Sequence, residues 1–142
     1  MRQETNSALV AESVVLDASV IVDLLAVQAA ELPIRRRLKN TAGHAPAHID
    51  AEVLSAIGRL HRAGVLDDRG VEKALLHLKD LPVTRHPLPP LLIGAWRRRE
   101  SLRLVDALYV ELAAKLDVSL ITTDKRLARA TPLAEVIDLG RS

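Results

Sequence analysis

Ser13-Val14-Val15-Leu16-Asp17 reads SVVLD, a β-branched run closed by a carboxylate. A short apolar run with no polar alternation has the pattern of a strand buried on both faces, as in a parallel sheet. Val118-Ser119-Leu120-Ile121-Thr122 (VSLIT) repeats that pattern near the far end of the chain and runs into Thr123-Asp124. The segments between the two carry helical periods. Val53, Ile57 and Leu60 fall at i, i+4 and i+7 in a helix opened by Asp50, running to about Ala63 and closed by Gly64. Val71, Leu75 and Leu78 mark a helix over 69–81, capped by Asp67 or Asp68 and stopped by Pro82. Leu108, Leu112 and Leu116 mark another over 104–116.

Weaker signals fill the gaps. Ser19 is placed to cap a short helix over 20–25, and a second helix over 32–40 carries Pro33 in its first turn. Thr41-Ala42-Gly43 reads as a break before a weak strand at 44–49. A strand at 83–86, a Pro-rich break at 87–90, a helix at 91–99, a short helix at 124–130 and a last strand at 135–139 complete the chain. Strands alternate with helices throughout, which predicts an α/β/α sandwich around a central parallel sheet. Residues 1–12 read as a short leader and 13–142 as one domain.

Composition narrows the chemistry. The 142 residues contain no Cys and no Phe, one Trp and one Tyr, so the core must be aliphatic. Disulfides, thiolate metal sites and a cysteine nucleophile are excluded. No apolar run reaches the roughly 18 residues of a membrane span, and a cytoplasmic, membrane-free protein is expected. Net charge is +2 with a pI near 9.3, a mild hint of a polyanionic partner.

The informative feature is the placement of acids. Asp17 and Asp124 follow the two clearest strands, Glu52 lies in a first helical turn, and Asp106 lies near the start of the 104–116 helix. In an open parallel sheet every strand-to-helix turn lies on one edge, where such folds bind ligands. Each acid alone reads equally well as a helix cap or a dipole partner. Asp50 reads as a cap and Asp23 as peripheral. If the four converge, repulsion between two unit charges ~4 Å apart is roughly 4 kcal/mol at an effective dielectric of 20. Helix N-termini return only ~0.3–1 kcal/mol each. A converged cluster therefore needs a hard divalent cation, Mg²⁺ or Mn²⁺, and such a site suits phosphodiester hydrolysis.

Four segments carry a family resemblance. They are Val15-Leu16-Asp17-Ala18-Ser19-Val20, His48-Ile49-Asp50-Ala51-Glu52-Val53-Leu54-Ser55-Ala56, Leu104-Val105-Asp106-Ala107-Leu108-Tyr109, and Thr122-Thr123-Asp124-Lys125-Arg126-Leu127. Their order and spacing resemble the four acidic motifs of PIN domains, in the VapC toxin branch. The resemblance implies a Rossmann-like PIN fold and a Mg²⁺-dependent endoribonuclease, the toxin of a type II toxin–antitoxin pair. It implies a small VapB-like antitoxin partner, a homodimer and a toxin–antitoxin hetero-oligomer. By motif position, Asp17 and Asp106 would be the principal metal ligands, Glu52 and Asp124 would complete the catalytic set, and Ser19 and Thr123 would support it.

Arginines and lysines flank the acids. Arg97, Arg103, Lys125 and Arg126 are candidate contacts for RNA phosphates, and Arg35-Arg36-Arg37 form a third basic cluster. With almost no aromatic residues, stacking platforms are scarce, so recognition through backbone, shape and arginine is expected. Trp96 and Tyr109 read as core or interface residues, and the five histidines form no metal pattern. Three other readings compete. A receiver-type phosphoacceptor would need an acidic pair by the first strand, where Ala18-Ser19 follows Asp17. A phosphatase with an Asp nucleophile would need an acid in place of Ser19. A catalytically silent RNA-binding module would not need all four acids.

Overall fold

The computed structural model describes residues 10–141; most of the expected leader lies outside the described residues. Five strands form one sheet, all parallel, in the order β3-β2-β1-β4-β5. Strand β1 is Glu12–Leu16, β2 Thr41–Pro46, β3 Val83–His86, β4 Leu120–Thr122 and β5 Ala134–Val136. Helix α1 spans Ala18–Ala26, α2 Glu31–Leu38, α3 Ile49–Arg62 and α4 Asp68–Asp80. These four pack on one another along one side of the sheet. Helices α5 (Leu92–Arg97) and α6 (Leu104–Leu116) pack together, and α6 lies on β1, β2 and β4. The short α7, Lys125–Ala130, links β4 to β5. This is the parallel α/β/α sandwich expected from the alternation of strands and helices.

The SVVLD and VSLIT runs are the two central strands. Val14, Val15, Leu120 and Ile121 are fully buried, and Leu16 pairs with Ile121. Helix α6 is apolar nearly all round, with six residues buried, because it lies between the sheet and α5. Among the described residues no helix is long and apolar enough to cross a membrane.

Several boundaries differ from expectation. The break falls at Asn40, whose φ of 61° makes the turn, so Thr41-Ala42-Gly43 belongs to β2. Gly43 is used there for space: a Cβ would stand 3.0 Å from Leu16 Cδ1. The VSLIT strand starts at Leu120, and the last strand closes at Val136. The Pro-rich break forms a 3₁₀ turn at Pro89–Leu91, and the helix after it ends at Arg97. Asp67 is the cap of α4, accepting from the Gly70 N–H at 2.7 Å. Asp50 is no cap: it sits inside the first turn of α3 and receives two bonds from Arg85, at 2.9 and 3.2 Å.

Candidate active site

Strands β1 and β4 are neighbours and end at the same edge of the sheet, where the Asp17 N–H donates to the Ile121 carbonyl at 3.0 Å. Asp17 and Asp124 therefore leave the sheet side by side. Glu52 arrives from the first turn of α3 and Asp106 from the first turn of α6. All four acids line one open cavity of about 380 Å³.

Asp17 is the most enclosed of them, 6 % exposed. Its Oδ2 accepts from Ser19 Oγ at 2.7 Å and from Thr122 Oγ1 at 2.8 Å. Each hydroxyl is oriented from behind: the Thr123 N–H donates to Ser19 Oγ, and the Asp124 N–H to Thr122 Oγ1. The other oxygen, Oδ1, takes no hydrogen bond among the described residues. Burial pushes the Asp17 carboxyl above the usual range, outweighing both hydroxyl bonds, and the charges of Asp106 and Glu52 push the same way. Ser19 is thus a partner of Asp17 and not a helix cap.

Glu52 has the opposite balance. Burial alone would raise its carboxyl, but His48 and Tyr109 donate to it and hold it below the ordinary value, with help from the Arg103 charge. Tyr109 Oη donates to Glu52 Oε1 at 2.7 Å. His48 Nε2 stands 3.3 Å from the same oxygen. Burial opposes a charge on His48, yet Glu52 and the Val105 carbonyl together keep its pKa raised. Asp106 pairs with Arg103 at 3.3 Å, and Asp124 caps α7 through the Arg126 N–H at 2.9 Å.

Three cavity residues escaped the sequence reading. Asp23 is buried, not peripheral, and lines the cavity. Helical spacing could have placed it, since Asp23 follows Ser19 at i+4 and so shares its face. Arg59 lies on the stripe Glu52, Ala56, Arg59, at i, i+4 and i+7 of α3. Arg141 reaches the cavity from beyond β5, with no local signal.

Thr123 lines the cavity and bonds a carboxylate there, donating its hydroxyl to Asp23, while Thr122, which the sequence reading did not single out, donates to Asp17. Of the four candidate RNA contacts, only Arg103 lines the acidic cavity. Lys125 and Arg126 line an adjoining basic cavity of about 320 Å³ with Arg129 and Arg141. Arg97 lines neither of these two cavities. Arg35 pairs with Glu31, and Arg37 clamps Glu12 and Glu135, so most of the third cluster is committed to ion pairs.

The donor set is all oxygen, from carboxylates and hydroxyls. Among the described residues no three carboxylate or imidazole groups close on a single point. That openness suits Mg²⁺, which keeps several waters and is usually held by one or two carboxylates and the substrate's phosphates. The unpartnered Oδ1 of the buried Asp17 is the kind of ligand such an ion takes.

The family profile described as PIN domain matches residues 14–132. Ribonuclease VapC3 of Mycobacterium tuberculosis is 58% identical over 127 residues, covering 89% of this chain and 93% of that protein. The chain belongs to the PIN-domain family, among its VapC ribonucleases. A second VapC relative, Ribonuclease VapC12 of the same organism, is 38% identical over 117 residues, 82% of this chain and 91% of that one. The crystal structure of PAE2754 from Pyrobaculum aerophilum superposes with a TM-score of 0.62 at 24% identity, covering 89% of this chain and 92% of that chain. At that identity the match speaks for a shared fold alone.

Proposed function

We propose that this VapC chain is the toxin of a toxin–antitoxin pair, a Mg²⁺- or Mn²⁺-dependent endoribonuclease inhibited by a small VapB-like antitoxin. The observation that carries the proposal is the convergence of four acids from separate segments on one cavity, with Asp17 pinned on one oxygen only. Asp17 and Asp106 would be the principal ligands of the cation, with Glu52 completing its shell directly or through a bound water. When bound, a divalent ion lowers the pKa of water and neutralises charge building on the phosphoryl oxygens. Glu52, kept ionised by its two donors, and Asp124, at the cavity rim, would orient and deprotonate the attacking water. Ser19 and Thr122 hold Asp17 in place. Arg103, Lys125 and Arg126 would take phosphates on either side of the scissile bond, with Arg59 and Arg141 as further candidates.

A negatively charged cavity also suits a basic antitoxin segment. The exposed group Leu92, Ile93, Trp96, Leu104 and Val105 supports a homodimer and a larger toxin–antitoxin assembly. The deciding experiment induces the protein in bacteria and sequences RNA 5′ ends, alongside Asp17→Ala and Asp106→Asn. New ends at defined sites with wild type, absent from both variants, are expected. Growth arrest and identical ends in all three would sink the proposal.

A further inference from the structure

The chain contains no Phe and a single Tyr, and that Tyr is its largest fully buried side chain. An aliphatic core gains nothing from a phenol hydroxyl, which must find a partner when buried. The partner here is not the backbone but Glu52 Oε1, at 2.7 Å. His48 stands against the same oxygen: its Nε2 is hydrogen-bonded to the Val105 carbonyl at 3.1 Å and lies 3.3 Å from Glu52 Oε1. The His48 ring leans on the Tyr109 ring, with centroids 4.8 Å apart. Glu52 Oε2 takes no hydrogen bond among the described residues. A Glu has three rotatable bonds and, on a first helical turn, would swing among rotamers without such a hold.

We infer that Tyr109 is a positioning residue: its hydroxyl, backed by His48, pins Glu52 Oε1 so that Oε2 alone is presented to the cavity. The arrangement repeats what Ser19 and Thr122 do for Asp17. In each acid one oxygen is held, by two hydroxyls at Asp17 and by one hydroxyl with an imidazole beside it at Glu52, and the other is left for a ligand. The inference rests on the cavity being a cation site.

The test is Mn²⁺ binding to the full chain, stripped with chelator and followed by the electron paramagnetic resonance signal of free Mn²⁺. Removing an outer partner of a metal-site carboxylate typically weakens binding about 10–100-fold. Tyr109→Phe is therefore expected to weaken Mn²⁺ by about tenfold or more. Combining it with Glu52→Gln should cost no more than Glu52→Gln alone, since the hydroxyl acts only through Glu52. Equal affinity in wild type and Tyr109→Phe overturns the positioning role, as does a double variant in which the two losses multiply. A wild type that binds no Mn²⁺, or an Asp17→Asn variant that binds it as wild type does, overturns the cation reading beneath it. A second measurement needs no change at Tyr109. Growth on 3-fluorotyrosine labels one residue, so one ¹⁹F resonance reports on Tyr109. Mg²⁺ should shift it in wild type and not in Asp17→Asn; a resonance indifferent to saturating Mg²⁺ in wild type overturns the inference.

Discussion

Thr123 turns its hydroxyl away from Asp17 and donates it to Asp23 Oδ2 at 2.6 Å, the same oxygen that receives the guanidinium of Arg141. Asp23 is therefore a buried acid beside the four-acid cavity that is already neutralised from within the chain. One carboxylate is matched by an arginine, and Asp17 is left with hydroxyl donors only. The cavity is thus divided into a satisfied side and an unsatisfied side.

Arg141→Ala should shift that division. With the guanidinium gone, the uncompensated charge on Asp23 adds to the field at Asp17. The arginine partner is half exposed, so solvent screening holds its effect to about 1 kcal/mol or less, and Mn²⁺ affinity should rise by up to about fivefold at low salt. The gain should fade at 1 M salt, where the Debye length is about 3 Å. Titrating Mn²⁺ at the two salt concentrations checks it; unchanged or weaker binding at low salt would contradict the division.

Gly94 gives a prediction about the scaffold beneath the site. A Cβ there would overlap the carboxyl of Glu111, which is held against α5 by Arg98. Overpacking usually costs about 1–3 kcal/mol, and Ala regains about 1 kcal/mol over Gly within a helix, so Gly94→Ala should cost up to about 2 kcal/mol net. For a domain of this size each kcal/mol lowers the melting temperature by roughly 2–4 °C. Glu111→Ala in the same chain should restore most of the loss, because the clash needs both partners. A thermal scan of the two single variants and the double shows whether the effects couple; simple addition would mean that the strain lies elsewhere.

Much of this architecture was readable because it depends on local period. SVVLD and VSLIT are fully apolar short runs, and such runs have few places to go except the middle of a sheet. That also placed Asp17 and Asp124 on one edge. Glu52 and Asp106 rested more on the ordered family motifs, since the strand before Glu52 is only weakly marked and none directly precedes Asp106. Asp23 could have been found from its i+4 relation to Ser19, but a lone Asp in a short apolar helix looks like a solvated face. The arginines could not be ranked. Arg37 is occupied by Glu12 and Glu135, and Arg98 by Glu111, and nothing local marks those partners. Tyr109 read as core or interface without a choice between them, and the direction of its hydroxyl depends on how α3 and α6 come together.

The histidine pair on the sheet sets a pH dependence. His44 Nδ1 and His86 Nε2 lie 2.9 Å apart, a contact that needs one nitrogen without its proton. Burial, then the neighbouring His44, hold His86 below its ordinary value near 6.5. The sign follows directly. As pH falls through 6.5 the unfolded chain takes up a proton that folded His86 refuses, so stability is lost on acidification. The loss levels off below the folded value. His48, held above its ordinary value, pulls the other way, so the reading is a difference: between pH 8 and pH 5 the urea midpoint of wild type should fall relative to that of His86→Gln. Equal slopes in the two proteins would remove His86 as the cause.

Asp17→Asn should separate stability from activity. In chelator, wild type must keep a buried carboxylate near Asp106 and Glu52, against desolvation and repulsion. An Asn amide oxygen can accept from Ser19 and Thr122 in the same place without the charge. The variant should therefore be more stable than wild type in chelator. Saturating Mg²⁺ should reverse the order. An ion at a hundred times its dissociation constant stabilises the protein that binds it by about 2.7 kcal/mol, and the variant has lost the oxygen that would bind it. Denaturant midpoints for the two proteins should consequently cross as Mg²⁺ is raised, while RNA cleavage by the variant stays absent throughout. If the variant were the less stable protein in chelator, the Asp17 carboxylate would be a net structural asset of the empty fold. The case that it is held in place for a cation would then fail.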